Sequence, residues 1–234
     1  MLAVELDDVC ADHRVAFRDI AAAWLGVDAA GLALDHDPDL AIWNLSPSQA
    51  EELRRHAVVE RRLYRDLDVV AGAADALWRL SDAGAWIRVV THRLSVPFSH
   101  SVVVADTVGW LDDATIPYRD LCFLGAKPQV EADLYLDAAA DQAVALRRAG
   151  NPVVLFDRPW NRDLADPRAH GWAEVEDLVM EQLVAHSGVH GVQSRLPGLA
   201  SGAERLNAPP ATAPTEVPCC LLYTSDAADE DCLV

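Results

Sequence analysis

Residues 4–12 read Val4-Glu5-Leu6-Asp7-Asp8-Val9-Cys10-Ala11-Asp12. A short apolar run, Leu2–Leu6, passes directly into clustered carboxylates. Charges as dense as Glu5, Asp7 and Asp8 repel one another unless a cation compensates; an ordinary acidic loop after a strand is the plainer alternative. The pattern recurs downstream. Ala73–Asp82 has helical spacing at Ala76, Leu77 and Leu80 and stops at Gly84, after which Trp86–Thr91 reads as a strand. Val96–Leu111 reads as a helix, and Leu121–Leu124 and Leu134–Asp137 as strands. Gln142–Ala149 is helical and closed by Gly150, Val153–Asp157 is a last strand, and Glu174–Leu183 is an amphipathic helix. Strands alternating with helices imply parallel βαβ units, hence an α/β fold with a doubly wound parallel sheet. Several strands end on a polar residue: Glu5 and Asp7, Thr91, Asp137, Asp157. Ligands bind at the carboxyl ends of the strands in such sheets, so these residues mark the expected site.

Between the first strand and Ala73 lies an insert too long for a connecting loop. His13–Leu25 and Ser48–Tyr64 are helically patterned, with Ser46-Pro47 as the start of the second helix. This predicts a small helical cap, residues 14–68, over a core formed by residues 1–13 and 69–185. From residue 186 to 218 the periodicity fades into a Pro/Ala/Gly-rich stretch that buries too little apolar surface to repay its ordering, and disorder is expected there. The run Cys220 to Glu230 resembles the translation of a transposase sequencing adapter, so residues 219–234 are expected not to be natural protein.

Half of the residues are hydrophobic, at 51%, but no apolar run approaches the roughly 20 residues that cross a bilayer. The N-terminus does not read as a signal peptide, which makes a cytoplasmic protein without a membrane partner the expectation. A formal charge of −18 argues against nucleic-acid polymers and leaves small phosphorylated ligands open. Of the 19 basic residues, the one lysine is Lys127. GC-rich coding explains an arginine excess; the lysine that stays marks a position where a compact ammonium suits better than a planar fork. Cys10 and Cys122 sit in strand-like contexts and read as buried thiols, and no zinc-type spacing occurs.

Four segments together resemble the haloacid dehalogenase (HAD) superfamily of phosphatases. Glu5-Leu6-Asp7-Asp8-Val9 resembles the first motif of that family and Val89-Val90-Thr91 the second. Gly125-Ala126-Lys127-Pro128 resembles the third, and Tyr135-Leu136-Asp137-Ala138-Ala139-Ala140-Asp141 the fourth. The run Val154 to Arg162, the pair Gly171-Trp172, and Asp66-Leu67-Asp68 ahead of Gly72-Ala73 are similar to the cytosolic and mitochondrial 5′(3′)-deoxyribonucleotidases, the type C 5′-nucleotidases. The resemblance spans about residues 1–183. It implies a Mg²⁺-dependent hydrolase of nucleoside 5′-monophosphates, working through an acyl-phosphate. Glu5 then stands at the nucleophile position, with Asp7 as general acid/base. Thr91 and Lys127, with His92 and Arg93 beside the former, would hold the phosphate. Glu5, Asp7, Asp137 and Asp141 would hold the ion. Tyr64 and Trp43 are the aromatics placed to meet the base, although core packing is the general role of such residues. Thr91 by itself is an ordinary strand-end residue, His92 and Arg93 read equally as exposed loop charge, and Asp141 equally as a cap for the helix near Gln142. The resemblance leaves a homodimer open.

The sequence departs from the family where it matters most. Glu5 stands where relatives have aspartate, Asp8 where they have glycine, and Ala138 where many have a second aspartate. One more methylene carries a carboxylate about 1 Å farther out, and a misplacement of that order costs on the order of 10²-fold in rate. Three readings stay open: a weakened enzyme, a non-catalytic relative that binds nucleotide and metal, or an error in the codon at position 5. A phosphatase of another small phosphomonoester is a further alternative.

Overall fold

Val153–Phe156, Val-Val-Leu-Phe, has no polar residue, and all four side chains are buried. Such an uninterrupted apolar run suits a parallel sheet covered on both faces. The computed structural model describes residues 1–34, 40–97, 99–123 and 130–187 and places this run as β5 in a six-stranded, all-parallel sheet. The other strands are β1 (Leu2–Val4), β2 (Ile87–Thr91), β3 (Asp120–Phe123), β4 (Leu134–Asp137) and β6 (Arg168–Ala169). Their order is β3-β2-β1-β4-β5-β6. Val4 sits level with Val89 on one side and Leu136 on the other.

Side chains on a strand alternate between faces, and here the alternation separates two cores. Leu2, Val4, Val89, Leu136, Val154 and Phe156 join one cluster with α3 (Ala73–Asp82), α4 (His100–Asp113) and α6 (Trp172–Ser187). Ala3, Val90, Tyr135, Val153 and Leu155 face the other way, onto Ala143 and Leu146 of α5 (Ala140–Arg148). The doubly wound arrangement read from the sequence is the observed one. The chain lays β2 and β3 outward from β1, then returns to lay β4, β5 and β6 on the opposite side. The strand order therefore reverses between β1 and β4, and a crevice opens at their carboxyl ends.

The segment between β1 and α3 holds α1 (His13–Leu25) and α2 (Pro47–Arg55), which share a small core of Ala21, Leu40, Ala50 and Leu53. Ser46 caps α2 in a reciprocal capping box with Gln49, with Pro47 at the first helical position. The expected continuation of this helix to Tyr64 is corrected: it widens into a π-type turn at His56–Glu60, and Arg62 then takes a positive φ of 54°. Helix α4 starts at His100 rather than Val96, because Arg93–Ser95 forms a 3₁₀ turn and the Ser99 hydroxyl donates to the Val96 carbonyl. Strand β6 has only two residues, too short to leave a periodic signal. Cys10 is buried as expected, whereas Cys122 is half-buried. Among the described residues no helix is long and apolar enough to cross a membrane. Lys127 with its neighbours 125–128, and the tail from 188 onward, lie outside the described residues.

Candidate active site

Glu5 follows β1 directly, and its N–H donates to the Leu136 carbonyl at 3.0 Å, tying the end of β1 to β4. The chain then doubles back tightly: the N–H groups of Cys10 and Ala11 both reach the Leu6 carbonyl at 2.9 Å. Asp8 takes a φ of 63° within this turn. The turn is held from the far end of the chain as well. Arg158 Nε donates to the Asp8 carbonyl at 2.8 Å, and Trp172 Nε1 to the Val9 carbonyl at 3.0 Å. Trp160 Nε1 and Asn161 Nδ2 both donate to the Ala138 carbonyl, after β4. The two C-terminal segments singled out in the sequence thus serve to lock the loops after β1 and β4.

A cavity of about 470 Å³ lies in this crevice. Glu5, Asp7 and Asp8 border it from the first loop, His92, Arg93 and Ser95 from the loop after β2, and Asp141 and Gln142 from α5. His13, Arg14, Arg54 and Tyr64 close it from the helical segment. A smaller, more apolar recess of about 180 Å³ shares His13, Arg14, Arg54, Tyr64 and Ser95 with it and adds Phe17, Leu40, Val58, Leu63 and Val96. His13 stacks between Phe17 and Tyr64, with ring centroids 6.0 and 5.8 Å away.

The carboxylates are set differently from one another. Glu5 is 7% exposed, and its Oε1 accepts the N–H of Leu6 at 2.9 Å and of Asp7 at 3.3 Å. Asp137 is buried, and its Oδ1 accepts the Ala139 N–H at 2.8 Å. Asp8 accepts the backbone N–H and the Nε of Arg14, whose guanidinium lies 4.1 Å over the Trp160 ring. Asp7 receives Nε and Nη2 of Arg93 on one oxygen, Oδ1, at 3.0 and 2.6 Å. Burial disfavours the Arg93 charge, yet the Asp7 carboxylate outweighs it and holds the guanidinium above its ordinary value. Burial, and next the Asp7 charge, push the Tyr64 hydroxyl up; burial and the nearby Glu5 do the same to the Cys10 thiol.

Thr91, the last residue of β2, is fully buried, and its Oγ1 has no hydrogen-bond partner among the described residues. An unmet buried hydroxyl costs free energy on the order of 1–3 kcal/mol; neither Thr91 nor the buried Asp137 is among the residues that border the cavity.

Several expectations change. The gathering of Glu5, Asp7, Asp137 and Asp141 around one ion is not seen: among the described residues no three His, Cys, Asp or Glu side chains are placed to hold a metal together. Part of the reason is that Asp7 is turned onto Arg93. Asp141 does not cap its helix, because α5 begins at Ala140 and Asp141 lies inside the first turn. Trp43 packs on Phe17 in the small helical core, with Nε1 on the Ala33 carbonyl, and borders neither cavity. Arg93 borders the cavity, but its side chain has no exposed surface and its donors meet Asp7 and Thr107. His13, Arg14, Arg54 and Gln142 were not singled out in the sequence. His13 and Arg14 directly follow the acidic loop, which was the available signal; Arg54 is one of several clustered arginines and carried none.

A family model described as "5' nucleotidase, deoxy (Pyrimidine), cytosolic type C protein" matches residues 1–187. A protein of Chlorobaculum tepidum named "Putative 5'(3')-deoxyribonucleotidase" is 37% identical over 185 residues, covering 76% of this chain and 89% of that protein. Among solved structures, a haloacid dehalogenase-like family protein of Streptococcus pneumoniae superposes with a TM-score of 0.54 at 13% identity, over 76% of this chain and 96% of that one. A structure from Haemophilus somnus titled as a predicted phosphoglycolate phosphatase gives 0.52 at 12% identity, over the same shares. At such identities these two likenesses speak for the fold alone.

Proposed function

The chain belongs to the cytosolic type C 5′-nucleotidase family within the HAD superfamily, and from that premise we propose how its own residues hydrolyse a nucleoside 5′-monophosphate. The observation that carries the reading is the placement of Glu5 and Asp7 on one cavity at the β1–β4 reversal, beside an aromatic recess. The phosphate is assigned to the larger space, beside His92; the family resemblance adds the unmet Thr91 hydroxyl, buried at the end of β2, and Lys127. The nucleoside lies toward Tyr64, His13 and Phe17. The segment 14–68 acts as the cap over a core of 1–13 and 69–185. Small phosphomonoesters fit this enclosure, and we place the protein in the cytoplasm.

Two of the expected donors suit magnesium, although the described residues do not gather three around one point. Glu5 and Asp137 are buried carboxylates at adjacent strand ends, and this hard ion accepts one or two carboxylates plus phosphate oxygens and water. Glu5 and Asp137 would hold it, with Asp141 in support. When bound, it neutralises charge on the phosphoryl group. The Glu5 carboxylate attacks phosphorus and the ester oxygen leaves as the nucleoside hydroxyl, protonated by Asp7. Water, deprotonated by Asp7, then releases inorganic phosphate from the acyl-phosphate and restores Glu5.

A second reading is favoured by one observation: Glu5 folds its Oε1 back onto the N–H groups of Leu6 and Asp7. A carboxylate held there binds nucleotide beside it without attacking. Phosphate release from a panel of nucleoside monophosphates in Mg²⁺ decides between the two. The enzyme reading expects turnover by the native chain, and a gain of on the order of 10²-fold on Glu5→Asp. Mg²⁺-dependent thermal stabilisation by nucleotides with turnover only in Glu5→Asp supports the second reading. No turnover by either form on any phosphomonoester removes the first.

A further inference from the structure

Arg93 is the largest fully buried side chain among the described residues, and it stands in the wall of the candidate site rather than in a distant core. A guanidinium with no exposed surface requires compensation on every side. Its Nε and Nη2 converge on Oδ1 of Asp7, and Nη1 reaches the buried Thr107 hydroxyl of α4 at 3.2 Å. The ring of Tyr64 lies 4.4 Å from the guanidinium carbon and that of Trp110 5.7 Å away. Trp110 is itself fixed by a 2.7 Å bond from Nε1 to the Leu67 carbonyl. The planar fork is therefore clamped by α4, by the segment returning from the helical insert and by the 3₁₀ turn that carries it. Asp7, by contrast, lies on a tight loop and has one carboxylate oxygen drawn into that clamp.

Two donors of a clamped planar group on a single oxygen fix where that oxygen stands and from which side it is approached, which a point charge on a flexible stem does not. We propose that Arg93 is a positioning residue that aims the Asp7 carboxylate at the leaving oxygen and takes no part in holding the phosphate. This rests on the proposed role of Asp7. The same contact ties Asp7 to Tyr64, so the acid/base group and the wall of the nucleoside recess are held by one side chain.

Initial rates of phosphate release from a nucleoside 5′-monophosphate in Mg²⁺, with inorganic phosphate as competitive inhibitor, test this in the full chain. Arg93→Met is expected to lower kcat on the order of 10²-fold, as for an ångström-scale misplacement, with KM and the phosphate inhibition constant within about threefold of native. Arg93→Lys restores only part of the loss, since an ammonium lacks the fork. In an Asp7→Asn background Arg93→Met adds no further loss, because the group it aims is already gone. Asp7→Asn also removes the carboxylate that Arg93→Met would leave unpaired, so the double variant keeps the test available if the single one folds poorly. A raised KM and a weakened phosphate inhibition with kcat unchanged, or a full multiplicative loss in the Asp7→Asn background, overturns the proposal. A native chain and a Glu5→Asp form that both release no phosphate would instead refute the enzyme reading beneath it.

Discussion

Asp8 holds a φ of 63°, a region where a Cβ costs roughly 1–2 kcal/mol and glycine is at ease. The chain tolerates an aspartate there because its carboxylate accepts both the backbone N–H and the Nε of Arg14, tying the loop to the first turn of α1. Strain and compensation come from the same side chain, so two substitutions separate them. Asp8→Ala keeps the strain and loses both bonds, and should cost about 2–3 kcal/mol. Asp8→Gly loses the bonds and the strain together, and should cost roughly 1 kcal/mol less. Urea denaturation should therefore rank native above Asp8→Gly above Asp8→Ala; a glycine variant at or below the alanine one contradicts this account. At this scale the sequence was legible where chemistry is local. Glu5 and Asp7 could be read because they follow a strand directly. The pairing of Asp7 with Arg93 could not, since 86 positions separate them and only the packing of α4 and the returning insert brings the guanidinium in.

At the scale of elements, the acidic loop belongs as much to the C-terminus as to β1. Trp172, the first residue of α6, donates its indole N–H to the buried Val9, and Arg158 reaches the neighbouring Asp8 carbonyl. Trp172→Phe keeps an aromatic ring in the core but removes the donor, and it leaves a small void where the larger indole packed. The Val9 carbonyl then loses a partner in a dry environment, for about 1–2 kcal/mol of stability. Because that carbonyl lies two residues beyond Asp7, turnover should fall severalfold while KM holds. Thermal denaturation and steady-state kinetics on the same sample check both parts, and a stability loss without a change in kcat would show that the indole only supports the fold. Elements were legible in proportion to length and periodicity. Helix α3 lies where Ala76, Leu77 and Leu80 put it. The end of α2 was not legible, because the π-type turn at His56–Glu60 continues the helical hydrophobic spacing while changing the path of the chain. Strand β6 had no pattern to read; it is an edge strand of two residues held largely by the Arg168 network.

For the molecule as a whole, acid should act in two opposing ways. A formal charge of −18 at neutral pH repels itself, so moderate acidification relieves strain in the compact state. Against this stand carboxylates whose partners exist only when the chain is folded. Asp157, after β5, is the clearest of these. Arg162 and Arg168 donate to it, His170 lies 3.7 Å away, and its carboxylate is only 12% exposed. The Arg162 hydrogen bond leads in holding its carboxyl below the ordinary range; burial, the next influence, pulls the other way, and the Arg162 charge and then Arg168 add to the lowering. A depressed folded value means that the stabilisation is fully present above the unfolded value, about 3.9, and drains away as pH falls through the lower folded one. Asp157→Asn should thus cost about 2 kcal/mol at pH 7, where two charge-assisted contacts are lost. The gap between native and variant should narrow steadily below about pH 4. Because β6 and the turn that locks the β4 loop depend on Arg168 and Asn161, which Arg168 also grips, the variant should lose nucleotide-induced stabilisation along with stability. Melting temperatures of both forms from pH 7 down to about 3 measure the narrowing. A gap that stays constant across that range would mean that the loss comes from altered packing, with no contribution from the charge.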